Sequence, residues 1–242
     1  MQASSVEWQT YAQSYDLLLS YNPFYQALRE QVLSEIQKWA IPAGGIIIDI
    51  GAGTGNYSTS IAKEHPDWYV YHVDRDPGMI ARAREKQAAY SLNNLSIFQQ
   101  AIEDTQFGKD SIAGIAAIHS LYTFPSPKKV LRQFYEWMEP GGYGIFVDPG
   151  RKVNVLSWQW AIGKHLLKTY GLKKTLDIMK GGKEVSRQNR KIQRMQARGE
   201  FWLHSHEEFC NEVLEAGFSI AHADTTFRGI SDLLVVRKPQ KP

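Results

Sequence analysis

Short apolar runs alternate with longer amphipathic stretches along most of the chain. Seven runs have the length of strands, at 46–50, 69–73, 95–99, 112–118, 143–147, 218–223 and 233–237, and the first is β-branched. Helices are predicted between them at 56–63, 77–90, 127–138 and 205–216. This alternation predicts an α/β fold with a doubly wound, mostly parallel sheet. Ligands of such sheets bind outside the carboxyl ends of the strands.

Local signals support several of these helix ends. Pro77 suits a first helical turn and Asp76 the N-cap before it. Ser205 and Glu208 have the spacing of a capping box. The sequence Glu-Pro-Gly-Gly at 139–142 is typical of a stop signal, so we expect the preceding helix to end there.

Residues 150–204 interrupt the strand–helix order with helix-like patterning, broken at Gly171 and at Gly181-Gly182. The apolar positions that suit a buried face are Val155, Leu156, Trp158, Trp160, Ile162, Leu166, Leu167 and Tyr170. The basic positions that suit solvent or an anion are Lys173, Lys174, Lys180, Lys183, Arg187, Arg190, Lys191, Arg194 and Arg198.

Composition narrows the protein class. The 242 residues are 43% hydrophobic and 12% aromatic, which favours a folded domain over a disordered chain. The one cysteine, Cys210, excludes a disulfide scaffold. We expect no membrane span, because no run of eighteen apolar residues occurs. The first residues lack the pattern of a secretory signal, so a cytoplasmic location is expected.

Charge is unevenly distributed. The net charge is +3, yet residues 151–200 hold thirteen Lys and Arg against three Asp and Glu, an excess of about +10. Three interpretations stay open for this segment: a solvated helical cap, a contact with an anionic small substrate or carrier protein, or a nucleic-acid surface. Nucleic-acid binding would make the affinity strongly dependent on salt.

A glycine-rich loop, Asp49-Ile50-Gly51-Ala52-Gly53-Thr54-Gly55-Asn56, lies where the first strand meets the first helix. Glycines there allow a tight turn and a close approach of backbone to ligand. A dinucleotide fingerprint would need glycine at Asn56. A phosphate loop would need Gly-Lys-Ser/Thr where the chain has Gly55-Asn56-Tyr57. The spacing is therefore D-x-G-x-G-x-G.

Asp74 closes the second predicted strand. A carboxylate there can accept hydrogen bonds from both hydroxyls of a ribose, so it indicates a nucleoside ligand. It does not by itself separate methyl transfer from hydride transfer. In the alternative interpretation Asp74 or Asp76 only caps the next helix, and the two roles are compatible.

With this loop and this acid, the sequence resembles the class I S-adenosylmethionine-dependent methyltransferases of the small-molecule type. Segments 100–107, 118–122 and 131–147 extend the resemblance, which covers about 42–148 and 205–237. The resemblance implies a seven-stranded Rossmann-like sheet with an antiparallel last strand and a helical insertion. It also implies S-adenosyl-L-methionine as the cofactor, S-adenosyl-L-homocysteine as the product, and an O, N or C atom of a small molecule as the methyl acceptor.

The resemblance also implies the site residues. Cofactor contacts are expected at Asp49, Gly51, Ala52, Gly53, Gly55, Asn56, Asp74, Arg75, Met79, Ala101, Ile102, Glu103, His119, Tyr11 and Tyr15. The sequence departs from the family at Ala101, where many members carry Asp. Tyr122 and Trp158 are expected to contact the acceptor.

We expect a single methyltransferase domain over 1–242, with an N-terminal helical lid at 1–40 and a basic helical insertion at 150–204 that caps the acceptor site. Trp8, Tyr11 and Tyr15 share one helical face, which suits a lid. The alternative is a helix packed on the edge of the sheet.

His119 and Asp148, at the ends of the fourth and fifth strands, are the candidate general bases. In the alternative interpretations His119 only shapes the pocket and Asp148 only serves the following turn. Together they do not make a metal-binding set, so no metal is expected. Other functions kept open are an RNA- or nucleotide-modifying methyltransferase that uses the basic insertion, an NAD(P)-dependent oxidoreductase, and a cofactor-binding module without catalysis.

Overall fold

A seven-stranded sheet forms the centre of the protein in the computed structural model, which describes residues 12, 16 and 19–240. The strands are β1 (Ile46–Ile50), β2 (Tyr69–Asp74), β3 (Leu95–Gln99), β4 (Ile112–Ile118), β5 (Met138–Pro149), β6 (Ser219–Thr226) and β7 (Ser231–Arg237). The longer helices are α1 (Pro23–Ile36), α2 (Ser58–Glu64), α3 (Pro77–Ala89), α4 (Pro127–Trp137), α5 (Val155–Gly181), α6 (Lys183–Ala197) and α7 (His206–Glu215).

The strand order is β3-β2-β1-β4-β5-β7-β6. Strands β1 to β5 are parallel, and β7 is antiparallel to both of its neighbours. The predicted fold class, including the antiparallel last strand, is confirmed. Parallel sheets of this kind are covered by helices on both faces, which is why β1 and β4 read as continuous apolar runs.

The core lies on both faces of the sheet. Ile47 belongs to an apolar cluster that includes Val32 of α1, and Ile48 to a second cluster that includes Phe134 of α4 and Phe209 of α7. Neighbouring residues of a strand point to opposite faces, so one short β-branched run supplies both clusters. Full burial of such a side chain contributes about 1.5–3 kcal/mol.

The strand predictions agree with the structure to within a few residues, except at β5. This strand begins at Met138, five residues before the prediction, because Met138 pairs with Ile112 and the backbone groups of Gly141 and Gly142 bond to Lys238, with Gly141 at a φ of +83°. The pairing of β4 with β5 shifts register between Ile112 and Gly114. The glycines and proline at 139–142 therefore end helix α4 without ending the regular structure.

The predicted caps are present. The Asp76 carboxylate accepts hydrogen bonds from the amides of Gly78 (2.9 Å) and Met79 (3.0 Å). The Ser205 hydroxyl accepts one from the amide of Glu208 (3.0 Å). Caps of this kind contribute about 1 kcal/mol each.

The insertion consists of helices α5 and α6. Helix α5 is kinked at Gly171, whose φ is +74°, and Gly182 separates it from α6, so both predicted interruptions are confirmed. The predicted buried face of α5 is wrong in part. Leu156, Trp160 and Leu167 are 78%, 69% and 50% exposed, and Tyr170 is also exposed. The helical rotation of about 100° per residue puts these side chains on the side away from Trp158 and Ile162.

No helix among the described residues is long and apolar enough to cross a bilayer.

Candidate cofactor and acceptor site

A cavity of about 310 Å³ opens at the carboxyl ends of β1, β2 and β4. Its wall is formed by the glycine loop, the end of β2, the turns after β3 and β4, and one face each of α1, α5 and α6. This is the position expected for ligands of a doubly wound sheet, and the volume lies within the range of small-molecule sites, about 300–1,000 Å³.

The three glycines of the loop are required by geometry. Gly51, Gly53 and Gly55 have φ angles of +64°, +59° and +81°, which side-chain-bearing residues rarely adopt. A Cβ on Gly51 would lie 2.5 Å from Ser120 Cβ, and one on Gly55 would lie 3.1 Å from Ala83 Cβ. A Cβ on Gly53 would meet only Met79 Sδ, at 3.9 Å. The loop is packed at Gly51 and Gly55 and open to the cavity at Gly53.

Asp74 connects β2 to this loop. One carboxylate oxygen accepts from the Gly53 amide and the other from the Asp76 amide, both at 2.8 Å. Burial raises the pKa of Asp74, and the amides of Asp76 and Gly53 oppose the rise. A carboxylate has about four acceptor positions, so each oxygen keeps capacity for a ligand hydroxyl.

Asp49 forms a buried polar group with Ser58 and His72 beneath the loop. Its carboxylate accepts from the Ser58 amide (3.0 Å), and the Ser58 hydroxyl lies 2.9 Å from His72 Nδ1. Burial raises the pKa of Asp49 to about 7, and the nearby charge of Asp74 adds to the rise. Burial lowers the pKa of His72 to about 3, so this imidazole is neutral. Sequence reasoning missed His72 because it lies inside an apolar strand.

The structure brings most of the expected cofactor contacts into the cavity wall. Besides Asp49, Gly51, Gly53, Asp74 and His119, the wall contains Ala52, Asn56, Arg75, Met79, Ile102 and Glu103. Gly55 and Ala101 are not part of it. The Ala101 carbonyl instead accepts from the Thr105 hydroxyl (2.7 Å). Tyr11 and Tyr15, with Trp8, lie outside the described residues.

Asp16 joins the N-terminal segment to the glycine loop. Its carboxylate accepts from Lys86 Nζ (2.7 Å), from the Thr54 hydroxyl (2.8 Å) and from Arg82 Nη2 (3.0 Å). Burial acts to raise the pKa of Asp16, but these hydrogen bonds and the charge of Lys86 outweigh it and hold the pKa below its ordinary value. Lys86 Nζ also donates to Asn56 Oδ1 (2.6 Å), so one ammonium connects segment, loop and α3.

His119 occupies the turn after β4 with a φ of +53°. Its amide donates to the Val147 carbonyl (2.7 Å), and its Nε2 lies 2.8 Å from the Ser231 hydroxyl. The rings of Tyr25 and Phe227 lie 6.4 Å and 4.9 Å from the imidazole, centroid to centroid. Burial lowers the pKa of His119 to about 4, so the ring is neutral near pH 7.

Asp148 is not part of the cavity wall. It is fully buried, with His204 Nε2 4.0 Å from its carboxylate. Burial raises its pKa well above the ordinary value, and the charge of Asp232 adds to the rise. Hydrogen bonds from the amides of Tyr122 and Ser120 act in the opposite direction. The structure therefore separates the two candidate bases, with only His119 facing the cavity.

Residues 47–142, which contain the glycine loop and Asp74, match the family model described as a methyltransferase domain. Residues 47–142 thus contain a methyltransferase domain, and the fold around them is that of solved S-adenosylmethionine-dependent methyltransferases.

Two relatives and one solved structure illustrate the similarity. A tRNA (guanine-N(7)-)-methyltransferase of Chlorobium phaeobacteroides is 30% identical over 87 residues, 36% of this chain and 43% of that protein. The 2-methyl-6-phytyl-1,4-hydroquinone methyltransferase 1 of Oryza sativa is 24% identical over 135 residues, 56% of this chain and 39% of that protein. The alignments thus span less than half of these relatives. A SAM-dependent methyltransferase of Aquifex aeolicus superimposes with a TM-score of 0.61 at 15% identity, covering 93% of this chain and 98% of that one, and shows the fold.

The side of the cavity opposite the glycine loop is aromatic and amide-rich. Tyr122 and Trp158, the two expected acceptor contacts, lie in its wall. Tyr25 and Phe227 join them. Helix α6 adds Val185, Asn189, Ile192, Gln193 and Gln196, which sequence reasoning missed. Their spacing places them on one helical face, a signal that the neighbouring basic residues hid.

The charged residues of the wall come from the glycine-loop side. They are Asp49, Asp74, Arg75, Asp76 and Glu103. No Lys or Arg of 150–204 is part of the described wall. Arg151 instead forms two hydrogen bonds to the buried Asp232 (2.9 and 3.0 Å). The basic excess of the insertion therefore lies outside the cavity.

Proposed function

We propose that this protein transfers a methyl group from S-adenosyl-L-methionine to a small, uncharged aromatic acceptor of the hydroquinone type. The observation that carries the proposal is that one cavity has two chemically different sides. Its loop side offers open backbone and carboxylates, and its far side is aromatic and apolar with amide side chains.

The residues on the loop side fit the cofactor. The open position at Gly53 leaves room against the backbone, and Asp74 keeps acceptor capacity for the two ribose hydroxyls. Met79 and Ile102 supply apolar surface beside them, and Asp49 supplies a carboxylate that ionises near neutral pH. When bound, S-adenosyl-L-methionine supplies an electrophilic methyl group on a sulfonium.

The far side suits an uncharged ring. Tyr25, Trp158 and Phe227 can exclude water and orient an aromatic acceptor, so that the chain contributes mainly alignment. Neutral His119 has one ring nitrogen beside Ser231, and the other is left to hydrogen-bond an acceptor hydroxyl or take its proton. The absence of insertion Lys and Arg from the described wall argues against an anionic acceptor.

The relatives divide between two acceptor classes. The rice relative is named for a hydroquinone, and an apolar wall suits such an acceptor. The Chlorobium relative, named for tRNA, and the +10 charge of the insertion favour RNA as a second candidate. We prefer the small acceptor, because the basic side chains lie outside the cavity while the aromatic ones line it.

Calorimetry with S-adenosyl-L-methionine tests the cofactor assignment. We expect binding that Gly53→Ala and Asp74→Ala each weaken at least about tenfold, the loss of one charge-assisted hydrogen bond or one close approach. Gly44→Ala is the matched control, since Gly44 also has a positive φ (+84°) but lies outside the cavity. No binding, or an equal loss in the control, would refute the assignment.

Methyl transfer from labelled cofactor to hydroquinones and to tRNA tests the acceptor class. We expect product with hydroquinones, and we expect His119→Ala to keep cofactor affinity while turnover falls at least about tenfold. Transfer to tRNA alone would establish the second candidate instead. Unchanged turnover in His119→Ala would remove the histidine from the mechanism.

A further inference from the structure

The first half of α5 has apolar side chains on two opposite faces. Trp158 and Ile162 line the cavity on one face, whereas Leu156, Trp160 and Leu167 are exposed on the other. Steps of four and seven residues align these three along one side of the helix. Apolar side chains on both of these faces are typical of a more buried helix, yet the described residues cover only the cavity side.

The exposed side also carries a shallow groove and a cation. Trp160, Gly163, Lys164 and Leu167 line the groove. A Cβ placed on Gly163 would meet no atom within 4 Å, so the groove floor is open. The Lys164 ammonium lies 5.2 Å from the Trp160 ring centroid. We call Leu156, Trp160, Gly163, Lys164 and Leu167 the outer α5 face.

Lysines accompany this face, since Lys164 and Lys168 lie in the same half of α5. Helix α5 contains five lysines and one acidic residue, Asp177. Beyond the kink at Gly171, Leu172, Leu176 and Met179 repeat the spacing of an exposed apolar row. Lys173 and Lys180, both exposed, lie in the same half of the helix. The whole of α5 thus combines exposed aliphatic and indole groups with lysines.

Exposed apolar groups next to lysines favour some binding partners of this face over others. A helix with Trp and Leu on one side and lysines beside them is typical of binding in the plane of an anionic membrane surface. A nucleic acid would use the lysines, but its phosphates would leave Leu156 and Leu167 without an apolar partner. In a symmetric dimer through this face, lysines would oppose the same lysines of the second copy.

We propose that the outer α5 face binds the surface of an anionic lipid bilayer, with the leucines and Trp160 at the acyl boundary and the lysines at the headgroups. A helix is about 10 Å across, so the cavity on its other side would lie one helix diameter from the lipid. This inference concerns a surface outside the cavity, and it stands whether or not the acceptor class above is correct.

Vesicle flotation tests the inference on the full chain. We expect binding to vesicles of phosphatidylcholine with 30% phosphatidylglycerol and much weaker binding to phosphatidylcholine alone. Trp160→Glu and Leu167→Glu should each lower the partition coefficient at least about tenfold, by removing apolar contact and adding a like charge. The matched control is Leu214→Glu, because Leu214 is as exposed as Leu167 but lies on α7.

Other outcomes would overturn the inference. Equal binding to neutral and anionic vesicles, or equal loss in the Leu214 variant, would exclude a specific lipid face. If vesicles do not bind and light scattering shows a dimer that Trp160→Glu dissociates, the face belongs to a second copy. Salt-sensitive RNA binding without lipid binding would assign it to RNA. Calorimetry with S-adenosyl-L-methionine on the same variants keeps the proposed function separate, since we expect the outer face variants to bind it normally.

Discussion

At the scale of single residues, the pKa values of ionisable side chains around the cavity differ from their ordinary values in ways that no sequence pattern reveals. The positions of Asp49, Asp74 and His119 follow from the ends of three strands, which the sequence predicts well. Their pKa values follow from burial, which depends on how the loop, α1 and the insertion close over them. His119 resembles an ordinary titrating histidine in sequence, but its lowered pKa makes it a weak, neutral base.

Asp49 should make cofactor affinity depend on pH. With a pKa of about 7, its carboxyl is mostly protonated at pH 6 and mostly ionised at pH 8. The cofactor carries positive charge, so it favours the ionised form, and affinity should rise with pH by about tenfold between these values. His72 and His119 stay neutral throughout this range, because their pKa values lie near 3 and 4.

Calorimetry at pH 6 and 8 measures this dependence, and Asp49→Asn should abolish it. If the dependence persists in that variant, another group titrates and Asp74, whose pKa burial also raises, becomes the candidate.

At the scale of elements, the pattern of apolar residues predicts the strands of the sheet but does not predict which faces of the insertion helices are buried. Strands β1, β3 and β4 match their predicted limits, because short apolar runs between turn residues have few other solutions. Helix α5 has apolar residues on two opposite faces, so its pattern does not indicate which face is buried. On α6 the amide and apolar residues of the cavity wall were overlooked beside the more conspicuous arginines and lysines.

The connection between the N-terminal segment and α3 predicts a measurable effect of Asp16. Asp16→Ala removes one acceptor each of Lys86 and Arg82 and the acceptor for Thr54, so the glycine loop loses one support. We expect cofactor affinity to fall by roughly fivefold to tenfold, the equivalent of about one hydrogen bond.

Glu85→Ala is the matched control, since Glu85 pairs with the same Arg82 but is exposed. Calorimetry on the two variants should separate them. A similar loss in Glu85→Ala would mean that Arg82, rather than the loop contact, matters.

At the scale of the whole molecule, one buried carboxylate holds both ends of the insertion. Asp232 of β7 accepts two hydrogen bonds from Arg151, which precedes α5, and lies 2.8 Å from His206 Nδ1 at the start of α7. Asp232 was absent from the residues predicted by sequence, because its partners are 81 and 26 positions away in the chain. Long-range polar contacts of this kind are set by the fold and leave no local pattern.

Asp232→Asn should therefore destabilise the protein and loosen the insertion. Removal of one partner from a largely buried ion pair costs about 3–5 kcal/mol, and the partial exposure of Arg151 reduces this to roughly 2–4 kcal/mol. Thermal unfolding should begin about 5–10 °C lower, and proteolysis within 151–200 should be faster.

Asp224→Asn on the neighbouring strand is the matched control, because Asp224 is exposed, and its melting temperature should change little. If Asp232→Asn melts at the same temperature as this control, the ion pair does not stabilise the fold.

The start of β7 also limits how this protein can be redesigned. Ser231 lies against His119, and the next residue, Asp232, fastens Arg151 and His206. Two consecutive positions therefore contact His119 in the cavity wall and hold both ends of the insertion. A chimera that exchanges only the segment between β5 and α7, in search of a new acceptor, would leave its anchoring carboxylate in the recipient sheet. A transplantable unit must include the final hairpin, because the insertion and the strand that holds it have to change together.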